Sequence, residues 1–420
     1  MTKFSIDNLK VGVIGLGYVG LPIAYAFGKH FDVVGYDKNV LRITQLSQGV
    51  DITGEVDPEL LSDSGIKFTT EPGDLKDCNF YIISVPTPIN KFKVPDISIL
   101  LNVSETIGKY IAKNDVVVYE STVYPGCTEE DCVPVLEKFS NLKFNIDFYC
   151  GYSPERINPG DKNHTIETIL KVTSGSNAEV ADFVDNVYAR VISAGTFKAK
   201  SIKVAEAAKV IENTQRDVNI ALINEFTKIC GRLDIDVHDV IETAATKWNF
   251  QTFKPGLVGG HCIGVDPYYL SHKAQLHGYT ADLILAARAI NDSMASYYAF
   301  ELLKVMIKES VVISNSRVLI LGLTFKEDCP DLRNTKVVDL ISEISEFGSS
   351  VDIYDPYVRV EEFSSLNVRA TFVETLVTER YDAIVIAVPH TIFKEYDVSY
   401  LCTLTNGSNV IFDIKNFLGN

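Results

Sequence analysis

The stretch Val11-Gly-Val-Ile-Gly15-Leu-Gly17-Tyr18-Val19-Gly20 constrains the fold more than any other part of the chain. A short apolar strand runs into a Gly-x-Gly-x-x-Gly turn, and the apolar-periodic residues 21–27 continue it as a helix. A lone glycine triplet is a weak signal. Here a strand over 33–36 follows and ends at Asp37, about 20 residues on, completing a βαβ unit of the dinucleotide-binding kind. Gly15 makes the tight turn, Gly17 admits a pyrophosphate and Gly20 lets helix and strand pack. The pyrophosphate rests on the helix N-terminus. A carboxylate at Asp37 suits ribose hydroxyls and repels a 2′-phosphate, so NAD is favoured over NADP, a preference that Lys38 moderates.

Further strands end in polar loops. Residues 80–84 lead into Val85-Pro86-Thr87-Pro88, 115–119 into Glu120-Ser-Thr122, and 147–151 into Ser153-Pro-Glu155-Arg156. In open α/β sheets ligands bind beyond the carboxyl ends of strands, which makes Thr122 and Glu155 candidate site groups. After a strand at 170–174 and a helix at 179–188, residues 201–231 read as one long helix. Lys209, Asn213 and Asp217 form a polar row along it at i, i+4 spacing. A second helical stretch is expected at 280–308, and two long helices in mid-chain suggest a connecting, dimer-forming layer. Strand–helix alternation resumes at 317 without a second Gly-x-Gly-x-x-Gly, so a second dinucleotide is not implied. The expected architecture is α/β: two doubly wound Rossmann-like domains, 1–196 and 311–420, joined by a central helical layer at 197–310.

Within that layer lies Lys254-Pro-Gly256-Leu-Val-Gly259-Gly260-His-Cys262-Ile-Gly264-Val-Asp266. So many glycines around one cysteine make a backbone that can approach a ligand closely. Taken alone, Cys262 reads equally as a nucleophilic thiolate or as a buried structural thiol. The dinucleotide unit tips the reading toward an aldehyde-oxidising cysteine. The eight cysteines show no CxxC pair or His–Cys cluster, so neither zinc nor a disulfide framework is expected and no metal is assigned. The net charge of −16 speaks against nucleic acid or an anionic membrane as partner. With no signal-type or membrane-spanning run, a cytoplasmic location is expected.

Taken together, the residues resemble the UDP-glucose/GDP-mannose dehydrogenases over essentially the whole chain. The matching motifs are Gly15–Pro22, Val85–Pro88, Glu120–Thr122, Ser153–Arg156, Ala205–Asn213, Gly259–Asp266 and Gly322–Lys326 through Arg333, in the family's order. Those around Cys262, with the run Asn213–Asp217, are most similar to the branch that oxidises UDP-N-acetylhexosamines. The resemblance implies an N-terminal NAD domain, a dimerising central helix, a C-terminal UDP-binding domain and a four-electron oxidation at C6 using two NAD. It implies that Lys209 and Asn213 stabilise an alkoxide, that Cys262 carries a thiohemiacetal and then a thioester, and that Thr122, Asp266 or Glu155 orients the hydrolytic water. It further implies that Tyr18, Val19, Pro86, Thr87, Thr122 and Arg333 contact the cofactor. Glu155, Arg156, Lys209, Asn213, Lys254, Gly256, Gly259 and Lys326 would contact the substrate.

Three positions depart from the UDP-glucose branch: Pro159 replaces an acid, and Val265 and Glu120 replace lysines. The expected substrate is therefore UDP-N-acetylglucosamine first and UDP-N-acetylgalactosamine next, for capsule or O-antigen synthesis, with UDP-glucose or UDP-N-acetylmannosamine as alternatives. A homodimer or higher homo-oligomer is expected. Competing readings are a two-electron hydroxyacid-type dehydrogenase, which would not need Cys262, and a non-catalytic nucleotide-sugar binder.

Overall fold

The computed structural model describes residues 4–156 and 165–419, so Pro159 lies outside the described residues. The chain forms two compact units, one of residues 1–212 with 268–279, the other of 213–267 with 280–420.

The first unit is built on β1 (Lys10–Ile14), β2 (Asp32–Tyr36), β3 (Lys67–Thr69), β4 (Phe80–Ile83), β5 (Val116–Tyr119) and β6 (Tyr149–Tyr152). They pair in parallel in the order β3-β2-β1-β4-β5-β6, the doubly wound dinucleotide-binding order. β4 and β5 are buried along their whole length, which is why their sequences read as unbroken apolar runs rather than as alternation. Residues of the helices Gly20–Gly28 and Ala178–Val191 pack against the sheet in a common apolar core. Edge strand β3 escapes the sequence reading because three residues are too few for a period to show. The strand expected at 170–174 is β7 (Lys171–Thr173), which among the described residues pairs only with β8 (Thr196–Lys198), in a separate two-stranded sheet.

The second unit holds β9 (Arg317–Leu321), β10 (Ser350–Tyr354), β11 (Thr371–Phe372), β12 (Ala383–Ile386) and β13 (Ile411–Asp413). Again all pairings are parallel, in the order β11-β10-β9-β12-β13. The turn after the first strand recurs in both units. Gly15 has φ 89° and donates its N–H to Tyr36 O at 2.9 Å; Gly322 has φ 89° and donates to Tyr354 O at 2.9 Å. Leu16 N–H donates to Asp37 Oδ2 at 2.9 Å, and Leu323 N–H to Asp355 Oδ2 at 2.6 Å. The two turns then diverge: Asp37 stays half-exposed, whereas Asp355 is 2% exposed and engaged by His390 Nε2 at 3.0 Å.

The long helix is Ile202–Leu233; its first turns, through Glu212, belong to the first unit and the remainder to the second. The expected single helix over 280–308 is instead two, Asp282–Asp292 and Met294–Lys308. The break is at Ser293, with ψ −2°, where the hydroxyl donates to Ile290 O at 2.7 Å and supplies the carbonyl with a partner that a continuous helix would not need. Among the described residues, no helix is long and apolar enough to cross a membrane.

Candidate active site

In the first unit the loops after β1, β2, β4, β5 and β6 meet at the carboxyl edge of one sheet, as the parallel topology requires. Asp37 ties two of them together, accepting N–H bonds from Leu16 at 2.9 Å and from Asn39 at 2.9 Å. A Cβ at Gly20 would collide with the Gly15 carbonyl oxygen, whereas one at Gly17 would meet nothing within 4 Å. Helix and turn are thus packed as tightly as glycine allows on one side and open on the other. That asymmetry fits a pyrophosphate resting on the turn, flanked by the half-buried Tyr18 and Val19. Beside it, Pro86 is exposed, and the Thr87 hydroxyl donates to the backbone carbonyl of Thr122 at 2.6 Å. Ser121 Oγ donates to Val85 O at 2.7 Å, locking the β4 loop to the β5 loop. The phenol of Tyr269, which the sequence reading passes over, donates to Thr87 O at 2.8 Å.

Also in this unit, Lys209 is buried and its ammonium donates to the backbone carbonyl of Glu155 at 2.7 Å. Glu155 itself is 7% exposed. Arg156 pairs with Glu212 and donates to Lys209 O at 3.3 Å, so Arg156 is bound to the helix that carries Lys209.

The second unit presents the cysteine loop. Cys262 is half-exposed, while Cys78, Cys127, Cys132, Cys150, Cys230 and Cys329 are buried. Its carbonyl accepts from the N–H groups of Val265 at 3.0 Å and Asp266 at 2.8 Å, a helical turn that fixes the loop's end. Asp266, 1% exposed, accepts from Asn213 Nδ2 at 2.5 Å, and Asn213 Oδ1 accepts from Arg216 at 3.1 Å. The loop's start is held by Asn224, which donates to Gly256 O at 3.1 Å and accepts from Gly256 N–H at 2.9 Å. Asn224 in turn donates to Asn291 Oδ1 at 2.8 Å, and Asn291 and Arg288 both donate to Asp217 Oδ1, at 2.8 and 2.6 Å. Asn213, Asp217 and Asn224 on the long helix therefore anchor the glycine loop. Gly259 and Gly260 lie against the 325–335 segment, where a Cβ would approach Asn334 O to 2.7 Å and the Phe325 ring to 2.8 Å.

Arg333 chelates Asp331 through two nitrogens and lies 3.5 Å from His261 in the cysteine loop. Lys326 is half-buried and Lys254 exposed. The loop bearing Lys326 is braced by His390, whose Nδ1 accepts from Asp328 N–H at 2.9 Å and whose Nε2 therefore donates to Asp355. Among the described residues, no group of three or more His, Cys, Asp and Glu is placed to hold a metal ion.

Known proteins match this chain along nearly its whole length. The NAD-binding domain of the UDP-glucose/GDP-mannose dehydrogenase family matches residues 9–192, its central domain 203–293 and its UDP-binding domain 319–420. The chain belongs to the UDP-glucose/GDP-mannose dehydrogenase family. It is similar to UDP-N-acetyl-D-glucosamine 6-dehydrogenase of Salmonella typhi, 53% identical over 420 residues, covering 99% of this chain and 98% of that one. The enzyme of the same name from Pseudomonas aeruginosa is 56% identical over 414 residues, covering 98% of both chains. A solved structure of UDP-D-ManNAc dehydrogenase from Pyrococcus horikoshii superposes with a TM-score of 0.88 at 33% identity, covering 97% of this chain and 96% of that one. As a member of this dehydrogenase family, the chain is an NAD-dependent oxidoreductase.

Proposed function

We propose that this dehydrogenase oxidises the C6 hydroxymethyl group of UDP-N-acetylglucosamine to the uronic acid, with UDP-N-acetylgalactosamine as the next substrate. The product would feed capsule or O-antigen synthesis in the cytoplasm. What carries the reading is identity above half, over nearly the full length, to two relatives of that activity.

The residues supply the chemistry. Lys209 and Asn213 stand one turn apart on a single helix and offer an ammonium and an amide to a developing alkoxide. One of the three ammonium hydrogens of Lys209 is committed to Glu155 O, which fixes where the others point. Asp266 holds the Asn213 amide in one orientation. NAD would be held on the turn Gly15–Gly20 with Asp37, Pro86, Thr87 and Thr122, and would supply the hydride acceptor. Cys262 as thiolate adds to the aldehyde carbon, forming a C–S bond while the carbonyl oxygen takes a proton. Transfer of hydride from that carbon to a second NAD, with release of the hydroxyl proton to water, would leave a thioester. Water oriented by Thr122, Asp266 or Glu155 attacks it, the C–S bond breaks and the thiol is regenerated. Arg156, Lys254, Gly256, Gly259 and Lys326 bind the nucleotide sugar, the lysines giving local positive charge to a chain of net charge −16.

The test is NADH formed per molecule of limiting UDP-sugar with excess NAD. About two NADH per UDP-N-acetylglucosamine are expected for the thioester route, and Cys262→Ser is expected to stop before the acid. One NADH per sugar would remove Cys262 from the chemistry, and faster turnover of UDP-glucose would overturn the substrate.

A further inference from the structure

Behind the Ser153–Arg156 loop lies a cluster of charged and polar side chains that the proposed chemistry leaves unused. Glu120 follows β5, Lys171 opens β7, and Tyr188 lies on the helix Ala178–Val191. The side chain of Glu120 has no exposed surface and that of Lys171 is 5% exposed. Lys171 Nζ donates to Glu120 Oε2 at 2.5 Å, and the Tyr188 hydroxyl donates to Glu120 Oε1. A buried ion pair is a poor way to gain stability, because desolvating both charges offsets most of their attraction. Apolar residues of the same volume would serve the core as well, so the pair calls for another reason.

That reason lies in the second bond made by Lys171. Its ammonium also donates to the carbonyl of Pro154 at 3.2 Å. The next carbonyl along, that of Glu155, receives the ammonium of Lys209 at 2.7 Å. Two successive carbonyls are thus each gripped by a buried lysine, one neutralised by Glu120 and the other the proposed alkoxide-stabilising group. Glu120 also lies two residues before Thr122, on the same loop. We propose that Glu120, Lys171 and Tyr188 are positioning residues: they fix the Pro154–Glu155 peptide and thereby the seat of the Lys209 ammonium. This rests on the reading of Lys209 given above. None of the three touches the reacting atoms. A displacement of about 1 Å in a group that stabilises a transition state can cost about 100-fold in rate, so a rigid seat justifies a buried charge pair.

The experiment uses the full-length enzyme with Glu120→Gln and Lys171→Met combined, which removes both charges and leaves neither buried alone. We expect a melting temperature and a KM for NAD close to wild type, kcat lowered about 10- to 100-fold, and an altered pH profile of kcat. Wild-type kcat with an unchanged pH profile in a folded double variant would overturn the proposal. Should that variant not fold, Tyr188→Phe keeps the ring and carries the test: lower kcat at unchanged KM for NAD supports the cluster's role, and wild-type kcat overturns it. Lys209→Ala separates the two readings. Full activity in that variant removes the role of Lys209 itself. An inactive Lys209→Ala beside a fully active double variant removes only the positioning cluster.

Discussion

Glu206 lies three residues before Lys209 with no exposed surface, and two backbone N–H groups donate to its carboxylate, from Gly126 at 2.5 Å and Thr128 at 2.9 Å. Burial outweighs those donors and pushes its carboxyl up to about 7 from an ordinary 4.5. The folded state holds this proton more tightly than the unfolded state does, so the contribution is fully present below 4.5 and is lost as pH rises to about 7. A shift of that size is worth on the order of 3 kcal/mol. Wild type is therefore expected to lose that much stability between about pH 5 and about pH 8 relative to Glu206→Gln, which cannot ionise. Denaturant melts of both proteins across that range measure it. Parallel pH dependences would mean that the carboxylate stays ionised on its two N–H donors.

At the scale of elements, the glycine loop that presents Cys262 is only as rigid as its anchor, and that anchor is Asn224 on the long helix. Asn224→Ala strips partners from both the N–H and the C=O of Gly256 and from Asn291 Oδ1. Leaving such buried groups unsatisfied costs about 1–3 kcal/mol, so a lower melting temperature is expected, together with lower kcat at unchanged KM for NAD. Calorimetry and initial rates test both. The same anchorage shows what the sequence made legible. The polar row from Lys209 to Asp217 was readable because helical spacing alone puts those residues in line, and the glycines of the turn and of the cysteine loop announce close approach by their chemistry. What Asp217 binds was not readable: Arg288 and Asn291 stand 71 and 74 residues away on a helix whose break at Ser293 leaves no periodic trace. The pairing of Glu120 with Lys171, 51 residues apart, was hidden for the same reason. Single polar residues in apolar strands show a partner only once the strands are placed. Strands β3 and β11, of 3 and 2 residues, are shorter than any pattern that could betray them.

For the whole molecule, the surface of the long helix bears on assembly. Leu222, Phe226, Ile229 and Leu233 are 50, 43, 44 and 62% exposed, and their spacing puts them on one face of Ile202–Leu233. Trp248, the only tryptophan, is 97% exposed. Scattered surface apolar residues need no explanation, but a stripe along one helix is the pattern of an interaction face. With a net charge of −16 per chain, long-range repulsion opposes self-association, so apolar burial must supply the attraction. A homodimer closed across this face is expected in solution, with Leu222→Glu combined with Phe226→Glu giving monomers. Sedimentation or light scattering distinguishes the two masses. Because burial rather than ion pairing would hold the copies together, added salt should not dissociate the wild-type dimer, and by screening the repulsion it should tighten it. A wild-type protein that is monomeric at low and high salt alike would leave this stripe to some other partner.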